Sequence, residues 1–139
     1  MNKKELNPNV SVDCVIFGFD MEQLYVLLID SGSTASYSQA RMAVPGDLIY
    51  DTETLDEAAR RVLKELTGIE NIYLEQIGAF GDPDRIGKKA SDRKWLESIR
   101  AMPEARVITV AYYSLVRMPN FNPKASSFAK SAGWAPVKE

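Results

Sequence analysis

Asp82, Asp84 and Arg85 fall within four positions in the run GDPDR, and groups of this kind must do any chemistry here because the chain has no histidine. Histidine triads, HExxH zinc sites and imidazole proton shuttles are excluded together, leaving carboxylates, Lys, Tyr, Arg or a bound metal. In a turn after a strand, an arginine offers a two-pronged fork to phosphate and an aspartate accepts hydrogen bonds from sugar hydroxyls. The plainer alternative is a turn closed by a local ion pair. Arg106 opens a strand-like run in which Tyr112 or Tyr113 could stack on a base or simply pack in the core. Arg41 lies just before the turn VPGD and is placed to face the same cleft. From Arg85 to Arg106 seven Lys or Arg stand against three Asp or Glu, so this stretch carries about +4 in a chain of net charge -2. It is either a solvated surface helix or a basic edge that attracts phosphates.

The elements that must hold these residues can be read from periodicity. SVDCVIFGF (11–19) and LYVLLID (24–30) are β-branched and aromatic around the short break DMEQ, predicting a hairpin. SGSTASYSQA (31–40) has the composition of a loop, and MAVPGD is a short apolar piece stopped at Pro45-Gly46. Leu55, Ala58, Ala59, Val62, Leu63 and Leu66 then recur at steps of three and four, which predicts a helix over about 55–67. Thr54 with Glu57 makes a capping box at its start, and Gly68 stands where a terminating glycine belongs. Strand character returns at IYLEQIGAF (72–80) and at RVITVAYYSLV (106–116), the latter reading as buried on both faces. SDRKWLESIRAM between them predicts a surface helix ended by Pro103, within an insertion over about 86–104. The tail is expected to wrap the edge of the domain with Trp134 tucked in. This order gives an α+β domain with layers of α/β/α, a mixed β-sheet packed between helices.

At 139 residues, with 45% hydrophobic and 26% charged side chains, the chain is expected to form a single domain, 1–139, with one core. Lys and Arg total 17 against 19 Asp and Glu, with a pI near 5.3, which argues against direct nucleic-acid binding by this domain. The lone Cys14 is set among apolar residues and reads as a small core side chain. No apolar run is long enough to cross a membrane and the start lacks an apolar leader segment, so no membrane partner and a cytoplasmic location are expected.

The segment GDLIYDTETLDEAARRVLKELTGI, Gly46 to Ile69, resembles the Nudix box, G-x5-E-x7-R-E-U-x-E-E-x-G-U with U aliphatic. Counting back from Gly68 and Ile69 puts Glu65 on the first glutamate of the late pair, Arg61 on the arginine, Leu63 on the aliphatic position and Glu53 on the early glutamate. Val62 and Leu66 stand where two other glutamates belong, and Asp47 where the leading glycine belongs. The resemblance implies that glutamates of this helix hold Mg2+, which neutralises a diphosphate and activates water. Positions 62, 65 and 66 share one helical face, and here that face carries one carboxylate rather than three.

From about Val10 to Trp134 the chain is similar to the effector domain of the Nudix-related transcriptional regulators, most specifically in Glu75 to Arg85 and Arg106 to Tyr113. That resemblance implies a sensor of ADP-ribose-like nucleotide-sugars or phosphorylated sugars, without required cofactor and with little or no hydrolysis. It also implies a homodimer that passes occupancy to a C-terminal winged helix, which is expected to be absent from this chain, whose sequence ends with GWAPVKE. The expected ligand contacts are Arg41, Asp82, Asp84, Arg85, Arg106 and Tyr112. The alternative is a Mg2+-dependent hydrolase of nucleoside diphosphates linked to another group. In it Glu53, Arg61 and Glu65 would form the active set, Glu65 and Glu53 would hold the metal, and Glu57 would assist. A purely structural interaction domain is the third reading.

Overall fold

The computed structural model describes residues 5–30, 42–83, 106–118 and 131–137. Seven strands and one helix appear among them: β1 Leu6–Phe19, β2 Leu24–Asp30, β3 Met42–Ala43, β4 Gly46–Tyr50, α1 Leu55–Thr67, β5 Glu75–Phe80, β6 Ile108–Arg117 and β7 Ser131–Pro136. The strands form one mixed sheet with a central path β3-β2-β1-β6-β5, to which β4 adds on β1 and β7 on β2. The α+β class is as the sequence predicts. The expected second helix, at 91–102, and the loop 31–40 lie outside the described residues.

The 14-residue β1 organises the sheet because three strands share it. Its end pairs antiparallel with β2 (Phe17↔Val26), its middle antiparallel with β4 (Ser11↔Leu48), and its length from Val10 to Phe19 parallel with β6. The hairpin break is held by Asp20, whose carboxylate accepts from the backbone N–H groups of Glu22 and Gln23 at 3.0 and 2.9 Å. Such a side-chain turn is a characteristic use of aspartate. Two strands differ from the expectation. GDLIY is a strand rather than the end of a turn: Leu48, Ile49 and Tyr50 have strand propensity, and β1 offers them an edge. The tail likewise adds a full strand, β7, along β2 from Tyr25↔Pro136 to Asp30↔Ser131. Trp134 is tucked in as expected. Its ring lies so close over Gly18 that a Cβ there would come within 2.8 Å of it.

The helix has the predicted bounds. Thr54 Oγ1 accepts from Glu57 N at 3.1 Å while Glu57 Oε1 accepts from Thr54 N at 2.9 Å, closing both halves of the capping box. Gly68 ends it at φ 77°, a left-handed conformation that glycine adopts without strain, and its N–H reaches Lys64 O. Asp56 and Glu57 in the first turn and Lys64 in the last complement the helix dipole.

The buried stripe of α1 covers the face of the sheet lined by Val12, Cys14 and Ile16 of β1, Leu27 and Ile29 of β2, and Val110 and Tyr112 of β6. Ala58 and Ala59 are fully buried, and the helix approaches closely enough for the Cys14 thiol to lie 3.4 Å from Ala59 O. Burial pushes the thiol pKa up to about 12, with a smaller contribution from the neighbouring Asp13 charge, so Cys14 is an inert core side chain. β6 is buried on both faces only from Thr109 to Ala111 and Tyr112. Beyond that it alternates, with Tyr113 and Leu115 exposed.

Candidate functional site

Arg61 is the centre of a densely connected polar group among the described residues. Its side chain leaves the solvent-facing shoulder of α1 and reaches back across the helix start to the loop that follows β4. Nε bonds both oxygens of Glu53, at 3.2 and 3.0 Å, and Nη2 bonds Glu53 Oε1 at 2.7 Å. Nη2 also donates to Leu48 O at 3.1 Å, Nη1 to Glu65 Oε2 at 3.1 Å, and the guanidinium stacks 4.3 Å above the Tyr50 ring. Burial alone lowers the Arg61 pKa, but the hydrogen bonds and charge of Glu53, with the charges of Glu65 and Tyr50, outweigh it and hold the pKa above its ordinary value. Arg61 is therefore a permanent cation that ties strand, loop and helix together.

Glu53 is correspondingly occupied. Besides Arg61, its Oε1 accepts from Tyr50 N at 2.8 Å, and its side chain is only 12% exposed. A carboxylate that receives an arginine fork and a backbone N–H is poorly placed to turn to a metal. Glu57 is committed to the capping box. Glu65, with a side chain 46% exposed and one bond to Arg61, is more open to solvent than Glu53.

The decisive positions are 62 and 66. Val62 and Leu66 are 1% and 2% exposed and belong to the main core. Neither can donate to a cation, and each buries apolar surface worth about 1.5–3 kcal/mol. Among the described residues no group of three or more His, Cys, Asp or Glu could hold a metal ion. The donor set of a Mg2+ cluster does not fit: one shoulder of the helix carries Glu65, while the positions that should complete the cluster point into hydrocarbon.

The expected ligand contacts are only partly in view. Arg41, Asp84 and Arg85 lie outside the described residues. Arg106 and Asp82 are brought to one exposed corner: Arg106 Nη2 donates to Gly81 O at 2.6 Å, while Asn9 Nδ2 donates to Arg106 O at 2.8 Å. Tyr112 is in the core, 1% exposed, with its hydroxyl 2.7 Å from Asp56 Oδ1 and 3.4 Å from Gln76 Oε1. Its ring faces are covered by core neighbours rather than open to a base. Burial first, then the bond and charge of Asp56, raise its pKa. Tyr113, the other tyrosine considered, is 38% exposed and donates to Glu75 at 2.8 Å. Sequence reasoning missed Tyr50 and the Leu48 carbonyl, because both reach Arg61 only through the folding of the loop 51–54.

A family model described as NUDIX domain matches residues 7–139. A curated relative, the ADPR responsive transcriptional repressor NtrR of Acinetobacter baylyi, is 34% identical over 113 residues. That match takes in 79% of this chain but 38% of the repressor, so the chain spans well under half of that relative's length. Among solved structures, a MutT/nudix family protein from Enterococcus faecalis superposes with a TM-score of 0.71 at 24% identity, covering 100% of this chain and 48% of that one. The NUDIX domain of Shewanella oneidensis NrtR, solved in complex with ADP ribose, gives 0.68 at 22% identity over 94% of this chain and 73% of that one. A bifunctional NMN adenylyltransferase/ADP ribose pyrophosphatase from Francisella tularensis, with AMP and a Mn ion, gives 0.65 at 19% over 97% and 36%. At these identities the structural matches establish the fold alone. With its helix, cap and terminating glycine in register and the family model matching nearly its full length, the chain belongs to the NUDIX domain family.

Proposed function

We propose that this chain is the ligand-sensing domain of a transcriptional regulator, binding an ADP-ribose-like nucleotide-sugar or phosphorylated sugar with little or no hydrolysis. The observation that carries this reading is the burial of Val62 and Leu66, which puts hydrocarbon at two of the positions where the Nudix box gathers metal. The commitment of Glu53 to Arg61 and Tyr50 N supports it. So does the similarity to a repressor named for its response to ADPR, and to the ADP-ribose-bound NrtR domain. The ligand's phosphates would meet Arg106, Arg41 and Arg85, and its ribose hydroxyls Asp82 and Asp84. The sensing domain would act as a homodimer and pass occupancy to a separate DNA-binding module. Any hydrolysis would require Mg2+, with Glu65 the one box carboxylate open enough to meet it.

Calorimetric titration with ADP-ribose in the presence of EDTA tests the binding part directly. Saturable binding that Arg106→Ala weakens is expected. Binding that appears only with Mg2+ or Mn2+, together with release of AMP, would instead favour the hydrolase of nucleoside diphosphates.

A further inference from the structure

A concavity lies between the C-terminal half of α1 and the segment 69–74 that leads into β5, and its lining includes neither Arg106 nor Asp82. It has a volume of about 230 Å3, and its lining includes Leu63, Ile69, Ile72 and Leu74 as an apolar floor. Arg60 and Lys64 stand over it one helical turn apart, with Arg61 also in the lining. Arg60 donates through Nη1 to Ile72 O at 2.9 Å, which anchors its guanidinium beside the opening, and it has no carboxylate partner among the described residues. Lys64 is held only by an exposed bond to Glu70 at 3.2 Å, a pairing that water and salt compete with. Arg61 is held by Glu53 and Glu65 and Lys64 by Glu70, so Arg60 is the cation left to meet an anion at this largely apolar cavity.

We infer that this cavity between α1 and residues 69–74 is a second ligand site, for a compact organic anion with an apolar body and one carboxylate. An arginine fixed by one of its N–H groups keeps others for bidentate contact with a carboxylate, which fits this fork better than a point charge would. Leu63, Ile69 and Ile72 are only 1%, 5% and 7% exposed, so Leu74 and the stem of Arg60 supply most of the surface a ligand would cover, and a volume of about 230 Å3 suits a small molecule. Glu70 opposes the anion and competes for Lys64, so its charge sets the affinity. The site is separate from the Arg106 corner and does not depend on what binds there.

The probe is benzoate, followed by NMR on the intact chain, with benzamide as the neutral match and inorganic phosphate as the anion without an apolar body. Benzoate is expected to shift the amide resonances of Glu70, Asn71 and Ile72 saturably, with a Kd of about 1 mM or tighter. Arg60→Gln should weaken it about tenfold, the loss of a charged hydrogen bond, and Glu70→Gln should tighten it. Benzamide and phosphate should each bind much more weakly. The site is refuted if benzoate produces no saturable shift at these amides. It is equally refuted if Arg60→Gln, folded by its spectrum, binds benzoate as wild type does, or if benzamide or phosphate matches benzoate.

Discussion

Arg61 Nη2 lies 2.7 Å from Glu53 Oε1, across the N-terminus of the helix that carries it, so the best-matched ion pair of the box is spent on architecture. With side chains 17% and 12% exposed, neither partner can recover its hydration if the other is removed. Glu53→Gln should therefore lower unfolding stability by about 1–3 kcal/mol. Glu65→Gln, which loses a contact of a half-exposed carboxylate, should stay within about 0.5 kcal/mol of wild type. Urea denaturation of the two variants side by side measures this. Equal and large losses would mean that Glu65 is as much part of the clamp as Glu53.

Val62 tests whether the missing carboxylates can simply be restored. Val62→Glu would place a charge in the core cluster that includes Cys14 and Ala59, where burial favours the protonated acid. A loss of more than about 3 kcal/mol at pH 8 is expected, with part of it recovered near pH 4. Added Mg2+ should not restore the melting temperature. Recovery with Mg2+ would show that position 62 still faces a metal site.

The buried thiol gives a pH signature with a definite sign. Its folded pKa of about 12 lies above the ordinary thiol value of 9.0, so between these the native state keeps a proton that the unfolded chain releases. The stability contributed by neutral Cys14 is complete below about pH 9 and is lost as pH rises toward 12, at up to about 1.4 kcal/mol per pH unit. Tyrosines also titrate in this range, so the measurement is the difference in slope between wild type and Cys14→Ala. Cys14→Ala should be the flatter. In the native state at pH 8 the thiol should react with a disulfide reagent only as fast as the protein opens.

Tyr112 is buried in the core and links sheet to helix through Asp56. Tyr112→Phe should cost about 0.5–1.5 kcal/mol of stability and leave ADP-ribose affinity unchanged. A large loss of affinity with little loss of stability would put the phenol in the binding site.

Local signals account for what was legible. The bounds of α1, its capping box and Gly68 follow from residues within a single turn of one another, so spacing alone reveals them. β4 and β7 were harder. Gly46 and Asp47 look like turn residues until β1 presents an edge, and residues 131–136 become a strand only because β2 offers them an edge from Tyr25 to Asp30. The site shows the same division. The Arg61 and Glu65 pair is an i,i+4 neighbour and visible in the sequence, whereas the stronger Arg61 and Glu53 pair spans the N-cap and depends on how residues 51–54 fold. Tyr112 and Tyr113 are adjacent and chemically alike, and only the register of β6 against β1 decides which is buried.

The most direct measurement is a single-turnover reaction: ADP-ribose with excess protein and Mn2+ or Mg2+, bound ligand confirmed by calorimetry and products separated by chromatography. Binding with ADP-ribose recovered intact, in wild type and in Glu65→Gln alike, is the expected result. Metal-dependent formation of AMP and ribose phosphate by wild type, abolished in Glu65→Gln, would contradict the sensor reading and make the domain a hydrolase.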